Sequence, residues 1–163
     1  MDRTWLLLVV VAIGLGLLAL MIVGWRARSR RQSDLPPPAS VPVDASDTRG
    51  AFGGRYVATS LGGQPLERVT AHGFGFRGLV VVRVDDRGIL LDRTGERPIW
   101  IPREHVSGIR RATWTIDRVV EPDGLTVIDW RLGDHPVETA LRLDDPLGAE
   151  AAMTSLTTGR TAS

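Results

Sequence analysis

Three groups of residues in this chain have types and spacings that chemistry uses. Gly73-Phe74-Gly75-Phe76-Arg77-Gly78 is a literal G-x-G-x-x-G, and Leu79-Val80 extend it to G-x-G-x-x-G-x-V. A dinucleotide site needs a strand before such a loop and a helix after it, whose N-terminal amides receive the pyrophosphate. Here the loop runs into Leu79–Val84, which reads as a strand. The kinase version tolerates flanking strands but works with a Lys, an H-R-D loop and D-F-G, and the sequence contains none of these. The glycines therefore read as bends or close backbone approaches.

The second group is the histidines. His72, His105 and His135 fall on a loop, a helical turn and a hairpin turn, without H-E-x-x-H or comparable ligand spacing. The third is the carboxylate pairs Asp85-Asp86 and Asp144-Asp145, which sit in turns where Asp satisfies local backbone donors. No G-x-S-x-G elbow presents a nucleophilic serine. Cysteine is absent, which removes thiolate chemistry, and every one of the 20 Lys+Arg positions is Arg, which removes Schiff-base lysines. No catalytic residue, cofactor or metal site is expected.

The element that organises the chain is Trp5 to Trp25, 21 residues without a charged side chain. As a helix rising about 1.5 Å per residue it covers roughly 30 Å, the hydrocarbon thickness of a bilayer. Indoles at both ends suit the headgroup layers, and the run is too long for a signal-peptide h-region and lacks an A-x-A-like site. A membrane anchor is expected over 5–25. Arg26, Arg28, Arg30 and Arg31 follow it, whereas Arg3 precedes it with Asp2 in opposition. Positive-inside bias then places the N-terminus outside and the rest in the cytoplasm, at the plasma membrane. Ala12, Gly16 and Ala19 form a small-residue face that permits helix–helix contact.

Residues 1–4 form a short lead, and 26–50, basic and then rich in Pro and Ser, read as a disordered linker. From Gly50 onward 14 Arg oppose 15 Asp plus Glu, so no basic field points to nucleic acid. Residues 51–158 read as a β domain with strands at Tyr56–Ser60, Leu79–Val84, Ile89–Arg93, Ile99–Ile101, Ile109–Val119, Leu125–Leu132 and Val137–Leu143. Glu121-Pro122-Asp123-Gly124 reads as a tight turn. Asp145 and Pro146 open a final helix with Ala149, Ala152, Met153 and Leu156 at helical spacing, ended by Gly159, and 159–163 read as a frayed tail. Such a helix must bury its apolar stripe over the open end of a bent sheet.

The stretch Leu66 to Gly78, with Arg93-Thr94-Gly95, Ile101-Pro102, Ala112-Thr113-Trp114-Thr115, Val120 to Leu125 and Trp130, resembles small actinobacterial single-pass membrane proteins with a bacterial pleckstrin-homology-like (PH-like) domain. The resemblance covers about residues 50–145. It implies an N-terminal transmembrane helix plus an all-β PH-like domain, about seven antiparallel strands in a bent sandwich or partial barrel capped by a C-terminal helix. It implies no reaction, and although members are sometimes labelled transporters or export proteins, one helix forms no alternating-access path. The expected function is a non-catalytic adaptor for a protein partner, held at the membrane. Alternatives are recognition of anionic lipid, an unrecognised hydrolase or transferase, and a subunit of an export system. PH domains that bind phosphoinositides cluster basic residues around the first hairpin. The corresponding positions here, Arg55, Arg68, His72 and Arg77, are the candidate contacts to lipid or partner.

Overall fold

The computed structural model describes residues 3–33, 35–45, 49–112, 114–115, 118–119 and 124–158; for 3–6, 25–33, 65–66, 114–115 and 118–119 it describes backbone only. The chain divides into two compact units, Met1–Asp34 and Leu35–Ser163. The first is one helix, α1 (Arg3–Ser33), which continues past Trp25 through the arginine cluster. Leu7–Gly24 is long and apolar enough to cross a membrane, and a signal sequence has the same properties. The anchor residues Trp5, Trp25, Arg26, Arg28, Arg30 and Arg31 all fall within α1, with side chains outside those described.

The second unit is built on one antiparallel sheet. Its strands are β1 (Gly50–Leu61), β2 (Gln64–Arg68), β3 (Gly78–Asp85), β4 (Gly88–Arg93), β5 (Ile99–Pro102) and β6 (Val106–Ala112), followed by β7 (Trp114–Thr115), β8 (Arg118–Val119), β9 (Leu125–Leu132) and β10 (His135–Leu143). The order is β5-β4-β3-β1-β10-β9-β6, with β2 also on β1 and with β7 and β8 paired apart. The period-two pattern sets the inward face: Val80, Val82 and Val84 of β3 are buried, as are Val137, Thr139, Leu141 and Leu143 of β10. Seven strands laid flat at about 4.8 Å spacing would put the end strands roughly 29 Å apart, too wide for one helix to cover. Yet Ile99 and Ile101 of β5 and Val106 of β6 are buried in the one core that Ala149, Met153 and Leu156 of the final helix complete. The sheet is therefore strongly bent but open.

That helix, α2 (Pro146–Thr158), starts as its sequence directs, with the Gly148 amide donating to Asp145 Oδ1 at 3.0 Å. Gly159 and the tail lie outside the described residues, as does most of the expected turn at Glu121–Gly124. Three strand expectations change. The first strand begins at Gly50, six residues before Tyr56, because β3 pairs with it from Gly50 onward. Gln64–Arg68 is a strand despite Pro65, paired among the described residues with β1 alone. The expected strand Ile109–Val119 is divided: β6 ends at Ala112, opposite Leu125 where its partner β9 begins, and β7 and β8 pair with each other.

The expected free linker is the largest difference. Helix α1 runs to Ser33, and from Leu35 the chain is a strap on the β domain. Leu35 is 3% exposed, inside the core cluster, and its carbonyl accepts from His72 Nε2 at 2.8 Å, which fixes the proton on that nitrogen. Pro36 lies on the Gly133 turn, where φ is +60° and an added Cβ would come within 2.6 Å of Pro36 Cγ. Ala39 forms an antiparallel bridge with Trp100 of β5. Arg87 then donates to the Asp44 carboxylate and carbonyl, both at 2.9 Å, and the first of these bonds holds the Asp44 carboxyl below the usual range. Prolines carry little chain entropy to lose, so one buried Leu and three polar contacts suffice to seat a segment whose composition reads as disordered.

Candidate functional site

A polar chain crosses the core beneath the glycine-rich loop. Trp130 Nε1 donates to Thr139 Oγ1 at 2.9 Å; Thr139 and Thr59 hydroxyls lie 2.8 Å apart; Thr59 and Tyr56 hydroxyls lie 2.6 Å apart; and Tyr56 donates to the Phe74 carbonyl at 3.2 Å. The directions follow from the ends. The indole only donates and the carbonyl only accepts, so Thr139 donates to Thr59 and Thr59 to Tyr56. Every hydroxyl gives once and receives once. Phe74 is itself buried, its ring 6.2 Å from that of Trp130. The loop Gly73–Gly78 is thus tied to the core and leads into β3, the context expected for a structural loop; Gly73 has φ +79° and His72 φ +52°.

Burial pushes the Tyr56 hydroxyl up to about 12, against the Thr59 hydrogen bond and the Arg93 charge, which favour ionisation. The sign is that of an acid kept protonated by the fold. Stability is full below about pH 10 and falls as pH rises from there to about 12, by roughly 2–3 kcal/mol in all. Tyr56 is the only tyrosine, so tyrosinate absorbance reports it alone. We expect no ionisation near pH 10 in the folded chain, with onset coinciding with alkaline loss of near-ultraviolet circular dichroism.

Arg93 covers this chain. Following Ile89 and Leu91 at period two, it points inward from the end of β4 and is 3% exposed. Its guanidinium lies 5.1 Å from the Tyr56 ring centroid, donates from Nη1 to the Gly73 carbonyl at 2.6 Å and from Nη2 to the Arg97 carbonyl at 2.7 Å. Nε has no partner. Burial draws the Arg93 pKa down, with Tyr56 and Glu96 acting the other way. Beside it a groove of about 630 Å³ opens between the strap and the turn after β4, walled by Pro37, Pro38, His72, Arg93, Glu96 and Arg97 among others.

The four contact residues expected from sequence lie on different elements: Arg55 on β1, Arg68 on β2, His72 in the turn after β2 and Arg77 on the loop before β3. Arg68 donates to the Val57 carbonyl at 3.3 Å, and His72 is bonded to the strap at the groove. Arg77 is exposed on the loop before β3. Arg55 lies on the outer face of β1, directly opposite Arg142 of β10. Both are exposed, and neither has a carboxylate partner among the described residues, although like charges in register disfavour pairing. Arg142 was not foreseen: its signal was period-two alternation with Leu141 and Leu143. Arg110 on β6 bridges Asp129 at 3.0 Å and Glu138 at 2.7 Å. Burial raises the Asp129 carboxyl above its ordinary value, and Arg110 opposes that. Among the described residues no group of His, Asp and Glu is placed to hold a metal ion.

A bent antiparallel sheet whose core is completed by a C-terminal helix has the architecture of a PH-like module. The family model for bacterial PH domain-like proteins matches residues 32–157, and the chain belongs to that family. The match begins before the strap, which is therefore part of the domain. No curated protein matches the chain.

Proposed function

We propose that the chain is a single-pass protein of the plasma membrane, N-terminus outside, holding a PH-like adaptor domain at the cytoplasmic face for a protein partner. One observation carries this reading: an apolar helix of spanning length, followed by four arginines, leads into a domain of a generally non-catalytic class. The tether is shorter than composition suggests. Only the chain between Trp25 and Leu35 separates span from domain, a reach of at most about 35 Å fully extended. Strand addition is the economical way for a sheet to take a peptide, but at β5 the strap already occupies the edge. An edge left to a partner is β6, the end of the main strand path, which pairs only with β9 among the described residues. A photo-crosslinker replacing Ser107 on β6 should give a discrete protein adduct in native membranes, and one replacing Leu147 on α2 should not. No adduct from Ser107 would reject the adaptor reading.

A second reading, recognition of anionic lipid, is favoured by the facing pair Arg55 and Arg142. A fragment from residue 32 to 163, which keeps Leu35 in the core, should then float with phosphatidylglycerol vesicles at low salt. Arg55→Glu with Arg142→Glu should abolish flotation, and wild-type failure to float at low salt would reject this reading.

A further inference from the structure

We propose that the groove beside the strap binds a singly charged oxyanion, phosphodiester or carboxylate, with Arg93 as its fixed cation and Arg97 as a second, mobile one. A guanidinium has five N–H groups, and Arg93 spends one on the Gly73 carbonyl and one on the Arg97 carbonyl. The other three have no acceptor among the described residues, and no carboxylate there forms an ion pair with Arg93. A charge taken out of water without a paired carboxylate is costly, and the Tyr56 face and the nearby but unbonded Glu96 carboxylate offset only part of that cost. Folds keep such a group where something supplies the missing charge.

The surroundings state what kind of anion fits. Arg93 lines a cavity of about 630 Å³, a volume for a small ligand, with Pro37, Pro38 and Pro98 as apolar walls. The Arg97 side chain is exposed, with no hydrogen bond or ion pair among the described residues, so its charge is available at the same wall. Glu96 is there too. Two arginines less one glutamate leave +1, which suits a monoanion and disfavours a phosphate dianion. Ser40 and the His72 ring add polar groups, and the strap supplies one wall, so ligand and strap are held by the same residues.

The test uses the full chain in phosphatidylcholine nanodiscs with 15N-labelled arginine side chains, at fixed ionic strength set with chloride. Diethyl phosphate is titrated in one arm and butyrate in the other. The Arg93 Nε–H resonance should move saturably in at least one arm, and the arm that saturates identifies a phosphodiester or a carboxylate source. Arg97→Gln should weaken that binding about two- to five-fold, the scale of one exposed ion pair. Arg93→Met should remove the saturable response at the Arg97 Nε–H resonance, and should that variant not fold, Arg97→Gln decides. No movement in either arm up to about 0.1 M, weaker than any specific site, or an affinity unchanged in Arg97→Gln, would overturn the proposal.

Discussion

Replacement of Leu35 by Ala is expected to destabilise the β domain by about 2–4 kcal/mol, although the residue lies in a segment with the composition of a linker. The cost has two parts. Truncating a fully buried Leu removes its transfer energy and leaves a cavity in a core that relaxes only partly. The strap then loses its anchor, and its other contacts are polar or backbone ones: the His72 bond to the Leu35 carbonyl, the Ala39–Trp100 bridge and the exposed Arg87–Asp44 pair. Chemical denaturation of the full chain should show the lowered midpoint. Hydrogen exchange over 39–45 should rise toward unprotected rates while β3 stays protected. A change within about 0.5 kcal/mol, the scale of ordinary surface substitutions, would mean that the strap does not belong to the core. Truncations starting at Gly50 should be unstable for the same reason.

The second large effect is expected at Thr139. Thr139→Val keeps the shape but removes the hydroxyl that receives from Trp130 and gives to Thr59, leaving a buried indole N–H with no acceptor. Burying an unpaired donor costs about 1–3 kcal/mol. Thr139→Ser keeps both bonds and loses one methyl, about 1 kcal/mol. The order of the two variants is the diagnostic. Equal destabilisation would show that the polar chain does not hold the core together. Because the chain ends on the Phe74 carbonyl, Thr139→Val should also loosen the Gly73–Gly78 loop, visible as faster exchange at Phe76 and Arg77.

These residues show what sequence could and could not disclose. Val80, Val82 and Val84 alternate without interruption, and Asp145-Pro146 followed by Ala149, Met153 and Leu156 marks a helix start and stripe, so both elements were legible. The early part of β1 was not, because Gly50, Gly53 and Gly54 carry no side chains to show a period. Nor was the strap, whose single buried Leu among prolines has the composition of a disordered tether and reveals itself only through the Gly133 turn, His72 and Arg87, all distant in sequence. Arg93 lies inside a legible strand on the face of Ile89 and Leu91, yet its charge argues for solvent. Position and chemistry disagreed there, and position won. Among the four contact candidates, Arg68 and His72 hold backbone carbonyls, while Arg55 gains a neighbour, Arg142, that only strand register could supply.

The central claim, a PH-like domain held by α1 at the cytoplasmic face, has a direct test because the chain contains no cysteine. A single Asp134→Cys in the exposed β9–β10 turn gives a unique label site. In intact cells it should resist a membrane-impermeant maleimide, react fully once the inner membrane is permeabilised, and remain in the pellet after carbonate extraction. Labelling of intact cells, or release of the chain by carbonate, would contradict the account.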